Sequence, residues 1–150
     1  MYDVNPSYRI VGSPFAAFMP KPVNAGANPA RGAVINYYAG NVTDTTKGAV
    51  TIMDKNKNVI KTFSSDSKDN KLDISKGMNQ FNWNLLYPEA EKADGMILWN
   101  GTPSGITAPP GNYFARVKVG NDSADVPFTV VADPNYPISQ QDYDAQFAFL

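Results

Sequence analysis

Apolar and polar residues alternate with a period of two along several short stretches of this chain, the pattern of half-buried β-strands. The clearest stretch is residues 113–119, followed by a Gly-Asn-Asp turn and a second apolar run at residues 126–131, which together predict a hairpin. The side chains expected to face the core in the first of these strands are Tyr113, Ala115, Val117 and Val119.

Similar patterns predict four further strands, at residues 32–38, 49–53, 59–63 and 80–85. The Asp-Lys-Asn-Lys-Asn segment between the second and third of these is typical of a turn, so we expect another hairpin there. In the last strand, Phe81, Trp83 and Leu85 alternate with three amide residues and are expected to lie on the core face. Weaker patterns predict short strands at residues 8–11, 72–74 and 96–99.

The two ends of the chain depart from this alternation. Prolines interrupt every short apolar group in the first thirty residues, which predicts an extended arm. Near the other end, Ser139 and Asp142 resemble a capping box, and Tyr143, Phe147 and Leu150 follow at helical spacing. We therefore expect an arm over residues 1–30, a β-domain over 31–132, and a linker with a short C-terminal helix over 133–150. Because no C-cap signal follows that helix, we expect a segment of a longer protein.

Composition narrows the chemistry. The chain has 150 residues, of which 43% are hydrophobic and 18% are charged, as in globular proteins. Its formal net charge of −1 offers no basic field, so we expect no nucleic-acid partner. It contains no Cys and no His, which removes thiol nucleophiles, disulfides and the commonest general base and metal ligand. No apolar run approaches the length needed to cross a bilayer, so we expect no membrane insertion.

Three polar motifs contain residue types found in catalytic or metal sites. Ser65 and Lys68 match the spacing of serine/lysine acyl enzymes, but the companion motifs are absent and the charged context favours a solvated loop. Residues 54–58 open like a calcium loop, but Val59 stands where that loop requires Gly, which favours a hairpin turn. The long connection contains three acidic residues, Glu89, Glu91 and Asp94. They could supply the carboxylate pair of a glycosidase, but solvent-facing carboxylates are the favoured interpretation.

Aromatic residues outside the core pattern give the best binding hypothesis. Trp99, Tyr87 and Tyr136 could stack against sugar rings, which would make the chain a carbohydrate-binding module. The structural interpretation is favoured: Trp99 and Tyr87 fold the long connection back over one end of the domain, and Tyr136 packs against the C-terminal helix. Apolar residues of the two flanks are candidates for docking to another domain, namely Phe15, Phe18, Phe147 and Phe149.

Four motifs together resemble the immunoglobulin-like module of the flagellar hook-capping protein and its relatives. They are A-V-T-I-M-D at residues 49–54, V-I-K-T-F at 59–63, G-M-N-Q-F-N-W at 77–83 and P-P-G-N-Y at 109–113. More closely, the chain is similar to the C-terminal domain of large bacterial proteins whose N-terminal part is a sortilin-like or neuraminidase-repeat β-propeller, often labelled glycosyl hydrolases. One position departs from that family, because Trp83 is followed by Asn84 where Asp is usual.

This resemblance implies an immunoglobulin-like or fibronectin type III-like β-sandwich, in which Tyr113 would form a tyrosine corner by bonding its hydroxyl to upstream backbone. It also implies an accessory module without catalytic residues, cofactors or metal ions, since any hydrolase activity would reside in the propeller. The expected partners are other domains of the same parent chain, with carbohydrate as the alternative. The expected location is extracytoplasmic, either periplasmic or secreted.

Overall fold

The computed structural model describes residues 1–10, 23–24, 26, 30–91, 94–97 and 104–150, and these residues form seven strands and one helix. The elements in chain order are β1 Ser7–Arg9, β2 Ala33–Ala39, β3 Gly48–Met53, β4 Val59–Ser64, β5 Gly77–Trp83, β6 Gly111–Val119, β7 Asp122–Ala132 and α1 Gln140–Phe149. The prediction of a mostly β chain with a short C-terminal helix is therefore confirmed.

The strands form two sheets. A curled five-stranded sheet has the order β1-β7-β6-β3-β4, and β2 pairs with β5 in a separate two-stranded sheet. All pairs are antiparallel except β1 with β7, which is parallel. The predicted hairpins are present as β3 with β4 and β6 with β7, because each pair is joined by a short turn of the predicted kind. The pairing of β2 with β5 and of β3 with β6 requires longer crossing connections.

Buried side chains from both sheets form one hydrophobic cluster. Its centre is Trp83 of β5, which has no exposed surface and lies 5.6 Å from the ring of Tyr113 and 6.0 Å from that of Phe128, measured between centroids. The indole N–H donates to the carbonyl of Leu86 at 3.1 Å, so the polar edge of this large side chain is satisfied. The aromatic contacts connect the two-stranded sheet to β6 and β7 of the larger sheet. In β6, the predicted inward face is confirmed, since Tyr113, Ala115 and Val117 are buried.

The first ten residues contact both sheets. The amide of Tyr2 donates to the carbonyl of Asn36 in β2 at 3.1 Å, and a few residues later β1 pairs with β7. Val4, between these two attachments, packs against the core. The edge strand predicted at residues 8–11 is thus present one residue earlier, at Ser7–Arg9, and Val11 lies outside the described residues.

Two predicted short strands are not found as expected. Residues 72–74 form no strand, although Leu72 is buried, because this segment bonds to the edge of β4 only around Ser64. A strand was also expected at residues 96–99. Met96 and Ile97 form no strand, and Leu98 and Trp99 lie outside the described residues. In addition, β5 begins three residues before the predicted start and ends at Trp83.

Candidate functional site

The end of the domain that carries the Pro-Pro-Gly turn is held by a hydrogen bond from a buried tyrosine. The hydroxyl of Tyr113 donates to the carbonyl of Pro109 at 2.8 Å, four residues upstream. Pro109 and Pro110 fix the backbone before the strand, and the ring of Tyr113 points into the core beside Trp83. Burial, followed by the neighbouring hydroxyl of Tyr87, raises the pKa of Tyr113 well above its ordinary value of 10.0. This hydroxyl therefore stays protonated and serves as a structural donor.

Tyr87 connects this buried tyrosine to the C-terminal helix. Its ring meets that of Phe147 edge-on, with 4.8 Å between centroids. Its backbone amide donates to the carbonyl of Ile106 at 2.9 Å, which ties the two ends of the long connection together. The chain passes so closely here that a Cβ on Gly105 would overlap the carbonyl of Tyr87, so only glycine fits. Burial raises the pKa of the Tyr87 hydroxyl as well.

The C-terminal helix begins where the capping pattern predicted. The hydroxyl of Ser139 accepts from the amide of Asp142 at 3.2 Å, and it donates to the carboxylate of Asp142 at 2.6 Å. Gln140 then donates its side-chain amide to the carbonyl of Pro110 at 3.0 Å. The helix start is therefore bonded to the same turn that Tyr113 holds.

Arg9 attaches the helix to the N-terminal strand. Its guanidinium lies 4.7 Å from the ring centroid of Tyr143 and donates to the side-chain carbonyl of Gln146 at 3.0 Å. Tyr143 is buried, and its hydroxyl has no hydrogen-bond partner among the described residues. The two flanks of the chain thus meet at α1. Local sequence patterns do not predict this contact, because it joins residues at opposite ends of the chain.

A cleft of about 400 Å³ lies beside this helix, lined by residues of the Pro-Pro-Gly turn, by Tyr87, and by Asp54, Lys55, Gln140 and Asp144. The carboxylate of Asp54 is already engaged by its own turn, because it accepts from the amides of Asn56 and Asn58 at 2.8 Å each. Desolvation opposes ionisation of this carboxyl, but the hydrogen bonds outweigh it and lower the pKa of Asp54. The predicted turn over residues 54–58 is confirmed.

The serine of the second polar motif, Ser65 with Lys68, also bonds to the backbone of a neighbouring strand. The hydroxyl of Ser65 accepts from the amide of Gly48 at 3.1 Å, which joins the loop after β4 to the start of β3. Across the described ranges, no three His, Cys, Asp or Glu side chains lie close enough together to hold a metal ion. No helix in the described part is long and apolar enough to cross a membrane.

The structure brings together two residues for which the sequence predicted different roles. Tyr87, a candidate for sugar stacking, and Phe147, a candidate for docking, are both half-buried and pack on each other. Tyr136 is about half exposed, and Phe149 is 88% exposed. The remaining candidates, Trp99, Phe15 and Phe18, lie outside the described residues.

Comparisons with protein-family models, with curated proteins and with solved structures find no match to this chain.

Proposed function

We propose that this chain is a non-catalytic immunoglobulin-like or fibronectin type III-like module that packs against a neighbouring domain of the same protein. The two sheets would be the layers of its sandwich. Three observations support that architecture: the shared aromatic core around Trp83, the crossing connections between the sheets, and the hydrogen bond from Tyr113 to backbone four residues upstream. The motif resemblance extends the proposal to a secreted or periplasmic parent protein with a β-propeller.

The observation that carries the docking function is the orientation of α1. One side of this helix is anchored, since Tyr143 is buried beneath Arg9 and Phe147 packs on Tyr87. The end of the chain presents apolar side chains to solvent, with Phe149 88% exposed and Leu150 67% exposed. A large apolar side chain held in water by an anchored helix is typical of a surface that another domain covers.

The N-terminal strand β1 lies next to this helix, because the side chain of Arg9 contacts α1. Tyr8 and Ile10 are each about half exposed. Because side chains alternate along a strand, that of Tyr8 lies on the face of β1 opposite to Arg9. Arg9 thereby joins β1 to α1. We infer that the neighbouring domain covers α1 together with β1.

Hydrogen exchange in the complete parent protein tests this function. Peptides from α1 and β1 should exchange more slowly in the parent than in the 150-residue chain, whereas peptides from β3 should exchange equally in both. Replacing Phe149→Ser in the parent should return the α1 peptides to fast exchange, and Tyr38→Ser, which changes an exposed residue of β2, should not. Equal exchange of α1 in both proteins would overturn the proposal.

Carbohydrate binding is the alternative function, and tryptophan fluorescence tests it. In Trp83→Phe, the only remaining indole is that of Trp99, so its emission reports directly on the long connection. A shift of that emission on adding mixed glycans would favour a binding module over a docking module. We expect no shift, because the ring of Tyr87 is already packed against Phe147.

A further inference from the structure

Among the described residues no strand pairs with the outer side of β5, and the orientation of its backbone groups follows from a contact on β2. The amide of Tyr2 bonds to the carbonyl of Asn36 on the side of β2 that faces away from β5. In an antiparallel pair, residues whose backbone groups face away from the partner strand lie opposite each other. Asn36 lies opposite Gln80, so the backbone N–H and C=O of Gln80 point outward from β5. The same holds for Met78 and Asn82, two residues to either side.

A second contact supports this assignment. Side chains approach more closely in such outward-facing pairs, and the side-chain amide of Gln80 donates to that of Asn36 at 3.1 Å. No backbone group of any described residue outside β2 and β5 bonds to Met78, Gln80 or Asn82. Their side chains are all exposed. Within the described part of the chain, this strand therefore has a row of backbone donors and acceptors with no backbone partner.

Among the described residues, the outer edge of β2 accepts the bond from Tyr2 and the edges of β1 and β4 are blunted, whereas β5 has no such feature. β1 is only three residues long, and β4 carries a register shift near its start together with Lys61, while its last residue bonds to residues 70–72. By contrast, the seven residues of β5 contain no charge and no proline, and their pairing with β2 has no irregularity. Proteins usually protect an edge with charge, proline or a bulge unless it pairs with another strand.

We propose that a second copy of this chain pairs with β5, antiparallel, about a two-fold axis at Gln80. The result would be a continuous four-stranded sheet in which the two copies of β5 are central. The edge is self-complementary in this register. Met78 would lie opposite Asn82 of the partner subunit, and the neighbouring Lys76 opposite Asn84 of the partner subunit, so no like charges meet. Because β5 carries no charged residue that could bind a charged partner strand, a second copy of this neutral strand is the favoured partner.

Sedimentation equilibrium of the 150-residue chain, at concentrations from about 10 μM to about 1 mM, tests the proposal. The average mass of the wild type should rise from 16.3 kDa towards twice that value. Gln80→Lys would place two ammonium groups opposite each other on the axis and should weaken association more than about tenfold. The matched control is Tyr38→Lys, which adds the same charge to the exposed face of β2, one strand away from the axis, and should dimerise like the wild type.

Amide exchange provides a readout within the strand itself. The amides of Met78, Gln80 and Asn82 should become protected as the concentration rises, while those of Asn79 and Phe81, which face β2, should be protected throughout. A wild type that stays monomeric at the highest concentration would overturn the proposal. So would a folded Gln80→Lys variant that dimerises normally, or a dimer in which the three edge amides still exchange freely. The proposed docking function uses α1 and β1, so it does not depend on this result.

Discussion

The ring of Phe147 meets the ring of Tyr87 edge-on at 4.8 Å, and this contact fixes the C-terminal helix to the long connection of the β-domain. Tyr87 in turn interacts with the hydroxyl of Tyr113, which holds the Pro-Pro-Gly turn through the carbonyl of Pro109. The helix is thus coupled to the core by consecutive side-chain contacts. The C-terminal flank is consequently part of the folded unit, and its outward side chains are held in defined positions.

Phe147→Ala should destabilise the packing of this helix. The side chain is half-buried, so its loss should reduce the free energy of unfolding by about 1–2 kcal/mol, less than the value typical of a fully buried phenylalanine. Urea unfolding followed by circular dichroism measures the change. Phe149→Ala in the same helix is the matched control, because that side chain is 88% exposed and its removal should change stability by less than about 0.5 kcal/mol. Equal effects of the two substitutions would contradict this assignment.

Removing a buried hydroxyl should have different effects on stability at Tyr113 and at Tyr143. Tyr113→Phe removes a donor to the carbonyl of Pro109 and should cost about 1–2 kcal/mol. Tyr143→Phe removes a buried hydroxyl that has no partner among the described residues, so it should leave stability unchanged or raise it by up to about 1 kcal/mol. Denaturant midpoints of the two variants give the comparison directly. A loss at Tyr143 as large as that at Tyr113 would show that its hydroxyl is bonded in solution.

Stability should fall in alkaline solution because of buried tyrosines. Burial raises the pKa of Tyr37, Tyr87 and Tyr113 above the ordinary value of 10.0. Below that pH these residues are protonated in both states and contribute no pH dependence. Above it, the unfolded chain releases their protons first, so the unfolded state gains stability. Urea midpoints measured between about pH 8 and pH 11 should therefore be constant up to about pH 10 and then decline. Tyr113→Phe should decline less steeply than the wild type, and an unchanged or steeper decline would argue against this cause.

Local patterns predicted the parts of the fold that depend on local physics. The hairpin of β6 and β7 follows from alternation on either side of a Gly-Asn-Asp turn, and the start of α1 follows from the pair Ser139 and Asp142. The strand predicted at residues 72–74 is absent because alternation reports only which side chains are buried. Leu72 is buried without its backbone joining a ladder beyond Ser64. Forming a strand also requires a partner edge, which the pattern does not encode.

The sequence predicted which aromatic residues are candidates for the site, but it did not predict which residues they contact. Tyr87 and Phe147 stood out because both are aromatic residues outside the strand alternation. Their mutual contact could not be predicted, since it joins segments sixty positions apart, and neither could the attachment of α1 to Arg9 across almost the whole chain. Such contacts depend on the relative placement of the two sheets and the helix, which no short stretch of sequence determines.

Two glycines with nearly the same backbone conformation allow steric crowding to be separated from backbone strain. Gly32 and Gly77 have φ angles of 105° and 104°, in the region that other residues rarely adopt. A Cβ at Gly32 would overlap the carbonyl of Trp83, whereas a Cβ at Gly77 would meet nothing within 4 Å. Gly77→Ala should therefore cost about 1–2 kcal/mol from backbone strain alone. Gly32→Ala should cost about 1–3 kcal/mol more, because β2 and β5 must separate to admit the methyl group.

Thermal or urea unfolding of the two alanine variants measures this difference, with Gly26→Ala as a third variant in open surroundings. The expected order of destabilisation is Gly32 first, Gly77 second and Gly26 last. Similar losses at Gly32 and Gly77 would mean that the start of β2 can move away from the carbonyl of Trp83 at little cost. That outcome would contradict a tightly packed junction between the N-terminal end of β2 and the buried tryptophan at the centre of the core.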